Sequence, residues 1–403
     1  MCVYSRFASA ASLVVTVAGW LLAAPGALAL DLLDGNIQVH GFASLTLVNT
    51  SDNNFFGRSD DRISKDYSEV GLNASWRLMP DLQVSAQVLS HRAGGTDDGQ
   101  VRLDYGLLDW TALSSEEGRG GIRAGRVKAA YGLYNQTRDV PFTRPSIVLP
   151  QSIYFERTRN LTVAADGADL YAERFGDSGT LSASFIYGQP QTDTEAAEVA
   201  LVGLNRPGHL DSNPSPDFQI MYDGSGGLYR LALTTARLKL RYKPGVGDRL
   251  QAGEFKLTPV ILSAQYNAED WSLTSEYAFR RTSVSDFGPF FYNSKADGRS
   301  YYIQGTYRLT PQWEALLRYD VYYADINDRQ GTKFAAATGQ PGFTRFAKDW
   351  TVGVRFDVTP QFMLRLEAHR VDGTGFLPVQ DNPDSRALRQ YWNNVMLQAS
   401  FRF

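Results

Sequence analysis

Cysteine is almost absent from this chain of 403 residues: Cys2 is the only one. Beyond the first thirty residues there is no thiol, which excludes a disulfide framework and any Cys-based metal site. Histidine is scarce too, with His40, His91, His209 and His369 making the full set. None sits in a GxSxG or HExxH context, so a nucleophile–base pair or a zinc helix has no local support. The acid pairs Asp60-Asp61 and Asp97-Asp98 lack calcium-ligand spacing. No cofactor or metal is therefore expected. Charge of one sign is also missing. Forty Lys and Arg face 43 Asp and Glu, which gives no footprint for nucleic acid. After residue 30 no apolar run reaches the length of a membrane-spanning helix.

The N-terminus is different in kind. Arg6 precedes an apolar or small-residue run from Ala8 to Ala24; Pro25-Gly26 breaks it, and Ala27-Leu28-Ala29 supplies the small-x-small pattern of a cleavage box. Residues 1–29 read as a secretory signal peptide, cut after Ala29, rather than as a retained anchor. Residues 30–403 are then the exported domain.

A mean hydropathy of −0.28 suits a water-soluble protein, but it also suits a membrane strand, whose two faces average out. Alternation decides between them. Val395, Leu397, Ala399, Phe401 and Phe403 share one parity, and Asn394, Met396, Gln398, Ser400 and Arg402 the other. Trp313, Ala315, Leu317, Tyr319 and Val321 oppose Glu314, Leu316, Arg318, Asp320 and Tyr322; Phe362, Leu364, Leu366 and Ala368 oppose Met363, Arg365, Glu367 and His369. A period of two sorts residues onto the two faces of a strand. A soluble sandwich would also alternate, but here strands of nine to twelve residues recur, each with charges on its second face.

Thr310-Pro311-Gln312-Trp313 and Thr359-Pro360-Gln361-Phe362 are near copies of one turn, with Met79-Pro80-Asp81-Leu82 a weaker third. Long polar connections such as 326–348 and 372–389 separate these short turns. Short turns on one side and long loops on the other predict an all-β, antiparallel transmembrane barrel. Fifteen strands can be marked, and a single-chain barrel whose two termini lie on the same side of the membrane needs an even number. The missing one is expected at 217–222, or else from a split of 250–267; sixteen is the expected total. Trp271, Trp313, Trp350, Phe362, Trp392, Phe401 and Phe403 are expected in interfacial girdles.

The signal peptide, the alternating hairpins and the terminal Phe403 together resemble Gram-negative outer-membrane porins, over essentially the whole exported chain. The resemblance rests on architecture more than on a stringent motif. It implies a passive channel for small hydrophilic solutes or ions, located in the bacterial outer membrane. It also implies contact with lipid and lipopolysaccharide, assembly by the barrel-assembly machinery reading Phe403, and a homotrimer. General porins fold a loop inward to narrow the pore, and the corresponding segment here is 134–160. It carries Arg138, Asp139, Arg144, Glu156, Arg157 and Arg159 among aromatics and prolines. Packing inside the barrel is the favoured placement; an external loop packed on a neighbouring subunit is the alternative. Porins commonly place a basic ladder opposite such a loop. Arg237, Lys239, Arg241 and Lys243 share a parity and are expected at the lumen or the interface, giving modest anion preference. A substrate-specific channel using Tyr131, Tyr134, Phe142, Tyr154 and Phe155 is the nearest competitor. A barrel-type enzyme or an adhesive surface barrel is a weaker one.

Overall fold

The computed structural model describes residues 30–32, 35–192, 195–204, 206–289 and 291–403. The proposed cleavage residues Ala27 and Ala29 lie outside these. Sixteen antiparallel strands follow in chain order: β1 (Ile37–Thr50), β2 (Ser64–Met79), β3 (Leu82–Ala93), β4 (Asp98–Ser115), β5 (Gly118–Lys128), β6 (Ala164–Gly176), β7 (Gly179–Pro190), β8 (His209–Ser212 and Ser215–Gly224), β9 (Tyr229–Ala236 and Leu238–Lys243), β10 (Glu254–Asn267), β11 (Trp271–Ser285), β12 (Ser294–Arg308), β13 (Trp313–Tyr323), β14 (Phe346–Asp357), β15 (Phe362–Gly373) and β16 (Tyr391–Arg402). Each strand pairs with the next, and β16 returns to β1 with Gln398 opposite Thr46 and Phe401 opposite Ala43. The sheet is closed. A three-residue strand, Leu30–Leu32, adds to the start of β1.

The sixteenth strand lies where it was expected: β8 contains 217–222 and pairs with both β7 and β9. Residues 250–267 are not split, since β10 is one strand. Two boundaries move. Arg159–Val163 is a short helix, α1, so β6 begins only at Ala164. The long 189–223 connection carries a second helix, α2 (Glu195–Val202).

The two TPQ turns fold alike because they use the same side chain. Thr310 Oγ1 accepts from the backbone N–H groups of Gln312 and Trp313 at 3.3 and 3.1 Å. Thr359 Oγ1 does the same for Gln361 and Phe362 at 3.2 and 3.0 Å. The hydroxyl satisfies donors that a tight turn would otherwise leave open, and proline fixes the first dihedral.

Around the middle of the wall the apolar parity faces outward. Leu72, Val88, Leu170, Leu262, Leu317 and Leu366 are all more than 40% exposed, from one side of the barrel to the other. A continuous apolar belt of this kind is tolerated only against lipid or another apolar surface. Aromatics border it. Trp313 stacks on Phe356 at 4.3 Å and Tyr266 tilts on Trp271 at 5.3 Å near the short turns; Tyr319 and Trp350 meet at 4.5 Å near the long loops. Trp392 is a correction to the girdle set. It faces inward, buried among Phe55, Val371 and Met396, with its indole N–H on the Gly373 carbonyl at 3.0 Å. The alternation at the outer end of β16 brings that ring to the lumenal side.

Closure also explains a glycine. A Cβ on Gly41 would lie 2.4 Å from the ring of Phe403, so only glycine lets the terminal aromatic lie across β1. The backbone N–H of Phe403 donates to the Gly41 carbonyl at 3.0 Å, and that of Gly41 to the Phe403 carbonyl at 3.2 Å.

Leu317 lies on the lipid side near the middle of β13. Leu317→Arg is expected to cost about 2–4 kcal/mol of folding free energy in bilayers, measured by denaturant unfolding of the lipid-reconstituted protein; a loss below about 1 kcal/mol contradicts this orientation. Gly41→Val is expected to lower the fraction that runs as a folded, heat-modifiable band.

Candidate functional site

A peptide segment inside a barrel must find partners for its own backbone N–H and C=O groups. The connection from β5 to β7's neighbour β6, residues 129–163, finds them on the lumenal parity of the wall. Glu276 on β11 accepts from the Leu133 N–H at 3.0 Å and from the Tyr154 hydroxyl at 2.6 Å. Asp320 on β13 accepts from the Ser152 N–H at 3.2 Å, and Glu367 on β15 from the Ile147 N–H at 2.6 Å. The carbonyls are served by arginines of the same strands. Arg365 donates to Pro141 and Arg144 at 2.8 and 2.5 Å, and Arg280 donates to Ser152. Arg318 donates to the Ser146 hydroxyl at 2.9 Å. Acids and bases on the lumenal parity of β11, β13 and β15 thus hold the loop, mostly by its main chain.

The loop therefore lies within the barrel, fastened along the β11–β15 wall. Residues 146–154 are buried throughout. Gly132 marks where it turns in. Its φ is +64°, and an added Cβ would meet the Tyr154 hydroxyl at 2.4 Å and Glu276 at 2.7 Å. Both the backbone conformation and the close approach demand glycine there.

A second set of contacts fastens the loop to the opposite side. Arg144 forms a two-pronged pair with Glu69 of β2, at 2.8 and 2.6 Å. Arg138 pairs with Glu156 within the loop. Arg159 and Lys128 both pair with Asp139, and Lys128 reaches Asp104 at 2.7 Å. Four cations, Arg138, Arg144, Arg159 and Lys128, thus meet four carboxylates. Burial pushes the Asp139 carboxyl up, but Arg159 and Lys128 outweigh it and hold it well below the usual carboxylate range. Burial likewise raises Glu156, and Arg138 and His91 more than offset it. For Arg144, burial disfavours the cation while Glu69 reverses the sign, so its guanidinium stays charged.

The residues singled out in the sequence divide into three groups. Arg138, Asp139, Arg144, Glu156 and Arg159 come together as this paired network. Arg157 stays apart. It is half-buried, its guanidinium lies 5.2 Å from the ring centre of Phe155, and no carboxylate among the described residues pairs with it. Arg237, Lys239 and Arg241 do not line the lumen. On β9 the apolar parity, Leu238, Leu240 and Tyr242, turns inward and packs against Leu161, Ala197 and Phe287. The basic parity turns outward at the long-loop end, where Lys239 pairs with Glu254 at 2.6 Å and Lys243 with Asp211. The physical cause lies in two connections: α1 from the β5–β6 loop and α2 from the β7–β8 connection give the inner face of β9 an apolar surface to cover. Of the aromatics, Tyr134 and Tyr154 are buried loop anchors, meeting at 5.9 Å, and Phe142 lies under Arg402 at 4.4 Å.

The wall residues that hold the loop, Glu276, Arg280, Arg318, Asp320, Arg365 and Glu367, carried a sequence signal of their own. Each is a charge on the polar parity of a strand, and single-sequence alternation marks all six as lumenal without saying what they face.

No family model matches the chain, and no curated protein matches it. Solved structures do. OprB of Pseudomonas putida aligns with a TM-score of 0.60 at 12% identity, over 92% of this chain and 95% of that one. The anion-selective porin of Comamonas acidovorans gives 0.55 at 14%, covering 91% and 99%. A trimer form of OmpT, an outer membrane protein of Vibrio cholerae, gives 0.54 at 13%, covering 91% and 99%. The chain has the fold of the outer-membrane porins, and the likeness runs over nearly its full length.

Two outcomes follow. Arg144→Gln leaves Glu69 buried without its partner and is expected to destabilise by about 3–5 kcal/mol; adding Glu69→Gln should restore part of that, as a denaturant double-mutant cycle will show. Asp139 and Glu156 are depressed, so the docking they contribute is full above their ordinary values of 3.8 and 4.5 and is lost as pH falls below them. Protease cleavage within 134–160 should therefore rise on acidification below about pH 4 and stay flat between neutral pH and 6.

Proposed function

We propose that this chain is an outer-membrane channel, through which small hydrophilic solutes and ions diffuse past the 134–160 loop. The observation that carries the reading is the loop's attachment. A barrel with an apolar exterior and a charged interior holds its long connection by backbone contacts partway along the lumen. A narrowed aqueous path needs a fixed constriction of that kind. On the short-turn side of the loop the lumen stays accessible to solvent: Arg119 pairs with Glu173, and Arg123 bridges Asp109 and the buried Asp169, with the other side chains still partly exposed.

Selectivity in this reading is weak. The loop's ion pairs cancel most of its charge, so any anion preference comes from cations without acidic partners, Arg157 among them. The outward ladder of Arg237, Lys239, Arg241 and Lys243 has a different task. It stands above the apolar belt, where phosphorylated headgroups of the outer leaflet would meet it. Phe403, lying across β1, serves as the assembly signal, and the barrel works as a homotrimer, as in the trimer form of the Vibrio protein.

A non-catalytic role agrees with the surroundings of the lumenal histidines: His91 has Asp97 on Nδ1 at 3.1 Å and Glu156 beside Nε2 at 3.6 Å. His369 has Asp349 on Nδ1 at 2.8 Å and Glu367 beside Nε2 at 3.6 Å. With carboxylates at both nitrogens it has no place to take a proton from a nucleophile.

Planar-bilayer recording of the purified protein tests the channel. Stepwise KCl conductance with an anion-to-cation permeability ratio within a few-fold of one is expected, together with swelling of liposomes in small sugars. Silent bilayers and non-swelling liposomes from correctly folded protein would overturn it in favour of a structural surface barrel.

A further inference from the structure

Between the long-loop side of the constriction loop and the wall of β10–β13 lies a cavity of about 240 Å³. Its charge is one-sided. Three arginines line it, Arg157, Arg280 and Arg345, and no aspartate or glutamate among the described residues does. Arg280 spends its hydrogen bonds on neutral acceptors, the Ser300 hydroxyl and the carbonyls of Ser152 and Ile153. Arg345 lies 4.7 Å from the ring centre of Phe334. None of the three charges is offset by a paired carboxylate, which sets this chamber apart from the neutralised network a few residues away.

The rest of the lining is mainly apolar and aromatic, interrupted by the hydroxyls of Thr158, Thr162, Thr282 and Ser294. Phe155 stands at its floor with Tyr322 edge-on at 5.1 Å, and Phe376 packs behind both, 6.4 Å from Phe155 and 6.2 Å from Tyr322. Arg157 and Arg280 both lie over the Phe155 ring, at 5.2 and 4.9 Å. That contact pre-orients planar cations beside an apolar surface. Aliphatic and aromatic side chains from β10 and β11 complete the wall. Cations set in low-dielectric surroundings attract an anion more strongly than the same cations in water. A wall of rings and aliphatics rewards an apolar body on that anion. The volume lies below the roughly 300–1,000 Å³ of sites for drug-sized ligands. A single ring with one acidic group fits; an oligosaccharide does not.

We propose that this chamber is a binding station for small amphipathic carboxylates on the extracellular side of the constriction. The carboxylate is taken by Arg157 and Arg345, and the apolar body lies against Phe155 and Tyr322. The station deepens the channel reading and rests on it for its transport role, but binding itself does not require conduction.

Two measurements on the full-length protein keep those claims apart. The first is equilibrium binding of benzoate to the detergent-solubilised barrel by calorimetry. Saturable binding is expected, with acetate and benzyl alcohol each weaker. Arg157→Gln and Arg345→Gln should each weaken benzoate about tenfold or more, the loss of one charge-assisted contact. The second is bilayer current with benzoate added from the long-loop side, where concentration-dependent block with the same midpoint is expected. Absence of saturable benzoate binding, or equal binding by wild type and both variants, overturns the proposal. Acetate binding as well as benzoate removes the apolar body from it. Binding intact with no KCl current from wild type sinks the channel reading alone.

Discussion

Every backbone amide that crosses hydrocarbon must be hydrogen-bonded within the protein, because lipid offers no substitute. For a chain built of strands this leaves one solution, a sheet without edges. The pairing of β16 with β1 is therefore the contact on which the rest depends. It turns sixteen amphipathic strands, each marginal by itself, into a cylinder with one oily and one polar surface. The terminal Phe403 and the bare Cα of Gly41 meet at that seam. So the last residue of the chain and one of the first in the barrel are placed by the same closure.

The same rule acts a second time inside. A loop drawn into the lumen brings dozens of main-chain polar groups away from bulk water, and the wall answers with alternating acids and bases. Glu276, Asp320 and Glu367 take N–H groups, and Arg280 and Arg365 take carbonyls. Charged side chains are suited to this because their hydrogen bonds are roughly twice as strong as neutral ones. Fastening on two sides, by these contacts and by the Arg144–Glu69 pair, fixes the width of whatever path remains. A constriction held only by apolar packing would have no such angular definition.

Pairing also redistributes the electrostatics. Arg138, Arg144 and Arg159 are conspicuous in the sequence, yet each is spent on a carboxylate. In the proposed channel, the cations left to act on a solute are instead those facing neutral neighbours, Arg157, Arg280 and Arg345. A residue's charge is visible in a sequence; whether that charge is already answered is a property of the fold.

Much of the architecture was legible beforehand. Period-two alternation, the paired TPQ turns and the long opposing loops specified an antiparallel barrel, and parity arithmetic pointed to a strand at 217–222, which β8 supplies. These features are local, since a side chain's face follows from its place along the strand. What the sequence left open depended on partners distant along the chain. Arg237, Lys239 and Arg241 face outward because α1 and α2, folded in from other connections, gave the inner side of β9 an apolar surface. Trp392 left the girdle because the outer end of β16 packs on Phe55. The ladder that binds the loop joins residues more than a hundred positions apart. Alternation by itself determined that each strand has two faces; only the tertiary structure decided which face meets lipid at β9 and which charges remain unpaired, because both depend on what the long loops bring into the lumen.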